Sequence, residues 1–180
     1  MEVDDRQLVR LVLAEQADDF RALVDRHQQS IFRFASRLLG NWEAAEDVTQ
    51  EVFLAAFANL SGYDSSRAAF STWLFAIARN RCINLLEQRR TASLNERDTI
   101  EDVTSTDPIV NQELSQQLDR ALAALPVDQR SAFLLAEVEE LPYAEIARIE
   151  QASLGAVKSR IHRAKQRLQS LLEPVMRESK

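Results

Sequence analysis

Apolar residues recur at three- and four-residue spacing along most of this chain, and alternation at every second position is scarce, so the pattern predicts helices rather than strands. Phe20, Leu23, Val24, Ile31, Phe34 and Leu38 line one face of a helix that Gly40 can end, and Asn41 is placed to cap the next. That second helix covers about residues 42–60 and stops at Ser61-Gly62. A polar loop from Tyr63 to Ala69 precedes a third long helix, from about Phe70 to Arg90, with Phe70, Trp73, Leu74 and Ile77 on one side. Together with a shorter N-terminal helix over about residues 5–15, these predict a first helical bundle.

Between Thr91 and Glu113 the periodicity fails, and Ser, Thr, Asn, Asp and Glu dominate around Pro108. Such a segment buries too little apolar surface to offset the entropy of ordering, so it reads as a flexible tether that leaves the flanking modules free to separate. Helical spacing resumes with Leu114, Leu118, Leu122 and Leu125, closed by Pro126, and continues in a helix carrying Phe133, Leu134 and Val138. The stretch Leu141-Pro-Tyr-Ala-Glu-Ile-Ala147, a turn and a long helix from Leu154 then form a helix-turn-helix pattern. The fold class expected is all-α. An N-terminal helical bundle (residues 1–90) and a C-terminal four-helix domain with a helix-turn-helix (114–180) are joined by a flexible acidic linker (91–113).

Composition narrows the chemistry. The 180 residues are 46% hydrophobic, enough for two small cores but with no apolar run long enough to span a bilayer. The N-terminus starts acidic and lacks the layout of a signal peptide, so no membrane insertion and a cytoplasmic location are expected. One cysteine, Cys82, permits no internal disulfide, and two histidines, His27 and His162, make no spaced zinc set. Cys82 lies in an apolar helical stretch and reads as a packing residue. No Gly-rich phosphate loop, metal-ligand spacing or nucleophile motif is present, so neither an enzyme, a catalytic residue, a metal nor a cofactor is expected.

The formal charge of -6 is unevenly divided: -2 over residues 1–90, -5 over 91–113 and +1 over 114–180. Inside the last segment Lys158, Arg160, Arg163, Lys165 and Arg167 form a cationic stripe with no acid among them. On a helical wheel Leu154, Val157, Ile161, Ala164 and Leu168 fall together, while Gly155, Ala156, Ser159, His162, Arg163 and Gln166 face away. Polar groups on that outer face suit base edges, the flanking cations suit phosphates, and the small Gly155 and Ala156 permit close approach. An isolated helix of this kind is more often a solvated or protein-docking face. The preceding short helix and turn favour DNA.

Three stretches carry a family resemblance: Ala45-Glu-Asp-Val-Thr-Gln-Glu-Val-Phe53; Phe70-Ser-Thr-Trp-Leu-Phe-Ala-Ile-Ala-Arg-Asn80; and Leu141 to Ala147 with Gly155-Ala-Val-Lys-Ser-Arg-Ile-His-Arg-Ala164. In this order they resemble the extracytoplasmic-function (ECF) sigma factors of the sigma-70 family, which direct bacterial RNA polymerase to promoters. The resemblance implies core RNA polymerase binding on the clamp helices through Asp47, Gln50, Glu51 and Phe53. Acids, an amide and an exposed aromatic on one helix would suit a basic coiled coil. It implies recognition and melting of the minus-10 element by Tyr63, Ser65, Ser66 and Arg67 in the loop and by Arg79, Asn80, Asn84, Arg89 and Arg90 on the following helix. Flipped bases need a polar pocket, stacking surface and positive charge. Trp73 reads as core rather than stacking platform.

For the minus-35 element the resemblance implies Lys158, Ser159, Arg160 and Arg163, to which the wheel adds Gly155, Ala156, His162 and Arg167. The apolar surface of residues 118–138 would meet the flap of the second catalytic subunit. Relatives commonly have Leu-Gly where this chain has Glu150-Gln151, and Asp where it has Asn84. The partners expected are core RNA polymerase, promoter DNA and an anti-sigma factor wedged between the modules. A chain of charge -6 with its sites on two modules should bind duplex promoter DNA weakly by itself. The alternative is a stand-alone helix-turn-helix repressor, which would bind duplex DNA tightly without polymerase.

Overall fold

A computed structural model describes residues 3–14, 17–95 and 112–178. Among the described residues there are eight α-helices and no strand: α1 (Asp5–Leu13), α2 (Phe20–Leu39), α3 (Trp42–Ala58), α4 (Phe70–Asn95), α5 (Gln112–Ala123), α6 (Val127–Phe133), α7 (Tyr143–Ile149) and α8 (Leu154–Glu178). The all-α, two-domain expectation holds. The linker expected over 91–113 falls mostly outside the described residues, and its first five residues continue α4, which ends at Asn95 rather than Arg90.

The N-terminal bundle follows from its apolar stripes. Leu23, Ile31, Phe34, Ala35 and Leu38 of α2 meet Ala45, Val48, Val52 and Ala56 of α3 and Leu74, Phe75, Ala78 and Cys82 of α4, all buried. Phe34 and Phe75 pack edge to face at 5.6 Å. Gly40 ends α2 in the left-handed region (φ 64°), which glycine adopts without a Cβ penalty. The Asn41 side chain then accepts the Ala44 N–H at 2.8 Å and starts α3. Helix α1 is capped by Asp4, whose carboxylate accepts from the Gln7 N–H at 2.7 Å, and it docks through Asp5 onto Arg26 and His27 of α2.

The C-terminal domain differs in detail from the expectation. Helix α5 ends at Ala123, its turn hydrogen bonds run on to Leu125, and Pro126 follows directly, just before α6. The chain then widens into a π-helical turn, Leu134–Val138, closed by the Glu139 N–H on the Leu134 carbonyl at 3.0 Å. In the helix-turn-helix, Gln151 adopts φ 50°, the left-handed conformation that glycine would fill without strain. Val157, Ile161, Ala164 and Leu168 of α8 are buried as expected; Leu154 is not, being 45% exposed at the helix start where α7 does not reach it.

The two domains pack directly on each other, α4 against α7 and α2 against α5, α6 and the π turn. The sequence leaves the relative packing of the two modules open; here they touch. Polar contacts cross between the domains beside a hydrophobic core that is continuous through both. Arg33 of α2 grips Glu139 at 2.8 and 2.7 Å, Thr72 donates to Glu145 at 2.8 Å, and Arg148 donates to the Arg67 carbonyl at 3.0 Å. Arg130 reaches the carbonyls of Leu38 (2.8 Å), Ala123 (2.7 Å) and Leu125 (3.2 Å), so its buried cation sits at the C-terminal ends of α2 and α5. That is the negative end of each helix dipole.

Candidate functional site

The loop before α4 is held by an aromatic cluster. Tyr63 packs on Phe70 (5.4 Å) and Trp73 (5.2 Å), and its hydroxyl donates to the Ala68 carbonyl at 3.0 Å. Burial pushes the phenol above its usual range, so Tyr63 stays a neutral donor. Asp64 accepts both the Ser66 N–H (2.8 Å) and hydroxyl (2.6 Å), and these hydrogen bonds hold its carboxyl below the usual value. Ser66 and Arg67 are exposed and Ser65 half-buried around this turn, which makes a preformed rim of hydroxyls and one cation. Trp73 is half-buried in the same cluster.

The other residues expected at the minus-10 element lie elsewhere. Asn84 and Arg89 line a polar groove between α3 and α4 together with Asp47, Glu51 and Arg81, and the Arg81–Glu51 ion pair crosses it. Asn80 and Arg90 are exposed on α4. At 1.5 Å per residue, about 30 Å of helix separates the loop from Arg89 and Arg90. Arg79 does not face solvent at all freely: its side chain is 13% exposed and is turned toward the C-terminal domain.

On α3, Asp47 and Glu51 share the polar groove, as their four-residue spacing implies. Gln50 instead borders a second, apolar groove formed with Phe20, Val24, Phe53, Leu54 and Phe57. Phe53, expected as an exposed aromatic, is 7% exposed. One step along from the buried Val52, it stays within the apolar arc of α3, whereas Leu54 and Phe57 rotate outward and are 70% and 48% exposed. Phe57 is steadied by Phe20, edge to face at 5.0 Å. These two residues give α3 an exposed apolar patch that the sequence reading did not single out; their signal is two large apolar residues off the buried stripe.

On α8, Lys158, His162, Arg163, Gln166 and Arg167 are exposed, with Ser159 at the edge. Among the described residues, Lys158, Arg163 and Arg167 have no acidic partner. The Ser153 hydroxyl accepts the Ala156 N–H at 3.1 Å, capping the helix start, and open space lies over Gly155, where an added Cβ would meet only the Ser153 hydroxyl at 4.0 Å. From Lys158 to Arg167 the face runs about 14 Å along the axis, and a helix about 10–12 Å across fits a major groove about 12 Å wide. Two stripe members are engaged. Lys165 pairs with Glu137 at 2.8 Å, which raises its pKa.

Arg160 is the second. It lies 2.7 Å from Glu150 and 3.3 Å from Asp128, and the same two acids hold Arg79, Asp128 at 2.9 Å and Glu150 at 3.5 Å. Glu150 places a carboxylate whose side chain has no exposed surface at the helix-turn-helix turn. The two arginines expected to read two different promoter elements are thus joined on one pair of carboxylates.

The chain matches the family models for sigma-70 region 2 over residues 23–91 and for sigma-70 region 4 over residues 115–168. It is 31% identical to the ECF RNA polymerase sigma factor SigW of Bacillus subtilis, covering 96% of this chain and 98% of that one. It is 32% identical to the RNA polymerase sigma-H factor of Pseudomonas aeruginosa, covering 97% of both. It is 31% identical to the ECF RNA polymerase sigma-E factor of Escherichia coli strain K12, covering 98% of both. Among solved structures, the sigma factor RpoE of Bartonella quintana, in complex with the anti-sigma factor NepR, superposes with a TM-score of 0.78 at 28% identity, covering 86% of this chain and 97% of that one. CnrH in complex with the cytosolic domain of CnrY gives 0.74 at 27% identity, covering 94% of this chain and 97% of that one. The chain belongs to the ECF sigma factors of the sigma-70 family.

Proposed function

We propose that this chain confers promoter specificity on core RNA polymerase and assists promoter melting, under the control of a separate anti-sigma factor. The observation that carries this reading is the pairing, in one chain, of a helix-turn-helix whose Lys158, Arg163 and Arg167 have no acidic partner among the described residues with a second domain that offers an exposed apolar groove. A repressor needs the first and would use the second to pair with another copy of itself or to hold a ligand.

In this reading the domains divide as residues 1–90 and 114–180, with 91–113 between them. Gln50, Leu54 and Phe57 dock on the polymerase with Asp47 and Glu51 beside them, and Phe53 supports them from the core. The rim of Tyr63, Ser65, Ser66 and Arg67 takes up minus-10 bases. Arg79, Asn80, Asn84, Arg89 and Arg90 supply polar and cationic contacts along α4. Lys158, Ser159, His162, Arg163 and Arg167 read the minus-35 major groove, Gly155 and Ala156 let α8 sit close, and Arg160 joins them once released. The likeness to the sigma factor RpoE solved with the anti-sigma factor NepR supports such a regulator here. Because the domains touch directly, one that wedged between them must first part them.

The test is in-vitro transcription from a pool of genomic promoter fragments with core RNA polymerase, with and without this protein. New discrete start sites that share two spaced elements are expected. No new transcripts, with tight binding of duplex DNA by the protein alone, would replace this reading with a repressor.

A further inference from the structure

The inward stripe of α2 runs through Leu23, His27 and Ile31 at four-residue spacing. Leu23 and Ile31 are buried, and between them His27 puts an imidazole, 14% exposed, where the stripe calls for an apolar side chain. Docking of α1 does not call for it, because Leu8, Val9 and Val12 bury the apolar face of that helix. What the imidazole adds is direction. Its Nε2 lies 2.7 Å from the Asp5 carboxylate, and its ring packs on Phe70 with centroids 5.6 Å apart. Asp5 is itself fixed, since Arg26 donates to its other oxygen and to the Val3 carbonyl, the latter at 2.9 Å.

Phe70 is 2% exposed and its ring has no polar atom, so its place is set by the side chains around it: His27, Tyr63 at 5.4 Å and Trp73 at 5.7 Å. Tyr63 in turn donates to the Ala68 carbonyl at 3.0 Å. Contacts therefore run unbroken from the first turn of α1 to the loop of Tyr63 to Ala69. Helix α1 also touches the turn Leu60–Gly62, which leads directly into Tyr63. Beyond the burial that raises the Tyr63 pKa, Arg6 lowers it and Asp5 raises it, so two side chains of that first turn lie within electrostatic reach of the phenol.

We propose that Asp5 and His27 are positioning residues for the minus-10 site: Asp5 fixes the His27 ring, that ring fixes Phe70, and Phe70 sets where Tyr63 and the rim of Ser65, Ser66 and Arg67 stand. Neither needs to touch DNA. Contacts among the Phe70, Tyr63 and Trp73 rings are individually weak and let the rings slide, whereas a charge-assisted hydrogen bond fixes both distance and angle. A pocket that tells one flipped base from another works by small differences in geometry, so a rim displaced by about 0.5 Å loses discrimination before it loses its fold. This inference rests on the sigma-factor reading for its consequence, though not for the contacts themselves.

Two readouts on the full chain test this. The protein has two tryptophans, so in a Trp42→Phe background the emission and acrylamide quenching of Trp73 report the rim without polymerase. With core RNA polymerase added, fluorescence anisotropy compares a single-stranded oligonucleotide carrying the minus-10 sequence of a start site this protein directs with copies that bear one mismatch. Asp5→Asn removes the charge, and His27→Phe keeps a ring on Phe70 but loses the hydrogen bond. Each should change the Trp73 signal and cut the match-to-mismatch ratio about fivefold, and the double variant should do no worse than either, because both act through one contact. Should either variant lose helical circular dichroism, His27→Gln, which can still donate to Asp5 but offers Phe70 no ring, carries the same test. A Trp73 signal that none of the variants moves, or a mismatch ratio that holds while stability falls, overturns the proposal. A Trp73 signal that moves in a chain whose wild type shows no minus-10 preference with polymerase leaves the positioning contacts standing and tells against the sigma-factor reading.

Discussion

Single residues set the local conformations on which everything else rests, and several act differently from what their type implies. Cys82 is fully buried in α4, and burial pushes its thiol up to about 12, so at neutral pH almost none of it is thiolate, the reactive form. Its alkylation by iodoacetamide is expected only on the timescale of unfolding; rapid labelling of folded protein would contradict the packing described. Gln151 holds a left-handed conformation at φ 50°, which costs a residue with a Cβ about 1–2 kcal/mol, against about 0.5–1 kcal/mol of extra chain entropy for glycine. Gln151→Gly should therefore leave the fold unchanged and stabilise it by up to about 1 kcal/mol in urea unfolding. The sequence announced this position, because a turn there was expected; it could not announce that Glu150 beside it would be buried, since that depends on arginines 71 residues upstream and 10 downstream.

At the scale of elements, periodicity was a good guide to helices and a poorer one to their outer faces. The stripes of α2, α4 and α8 predicted most of the cores, because a 3.6-residue repeat is a geometric property of the chain alone. In α3 the apolar residues wrap too far round for the wheel to separate core from docking surface, so Phe53 was read as exposed and Leu54 and Phe57 were overlooked. The distinction makes a prediction. Phe53→Ala should cost about 3–5 kcal/mol of stability, as buried aromatic truncations do, and weaken polymerase binding mainly through that loss. Leu54→Ser with Phe57→Ser should leave urea unfolding nearly unchanged while weakening binding to core polymerase at least tenfold in a pull-down titration; unchanged binding would remove the apolar groove from the docking surface.

Helix α1 carries a second prediction. Burial alone would raise the Asp5 carboxyl, but hydrogen bonds and charge from His27 and Arg26 outweigh it and hold the pKa below the ordinary 3.8. A carboxyl depressed in the folded state stabilises it fully above the unfolded pKa, and that contribution fades as pH falls through the folded value. Docking of α1 on α2 should thus persist down to about pH 4 and loosen below it, seen as a rise in amide exchange over residues 5–13. Asp5→Asn should loosen it already at neutral pH, at a cost of about 1–2 kcal/mol, and abolish the acid step. The Asp5–His27 contact was invisible in the sequence because the partners lie 22 residues apart on different helices.

At the scale of the whole molecule, the charge distribution and the domain contact pull the same way. An acidic chain repels DNA at a distance, and where the domains meet Arg79 and Arg160 are both neutralised by carboxylates. The sequence showed two modules and the cationic stripe, but not their closure, because side-chain pairs that cross between domains leave no periodic trace. Core RNA polymerase has to undo that closure if both promoter elements are to be read at once, since the elements lie about 85 Å apart on straight duplex. Gln29 on α2 and Gln169 on α8 are exposed, and the buried Cys82 does not compete for thiol labels, so Gln29→Cys with Gln169→Cys gives a clean pair for energy transfer. Transfer between the labels should be efficient in the free chain and fall steeply when core polymerase is added, before any promoter is present if docking alone parts the domains. A transcribing complex in which transfer stays as high as in the free chain would mean that this protein reads one element at a time.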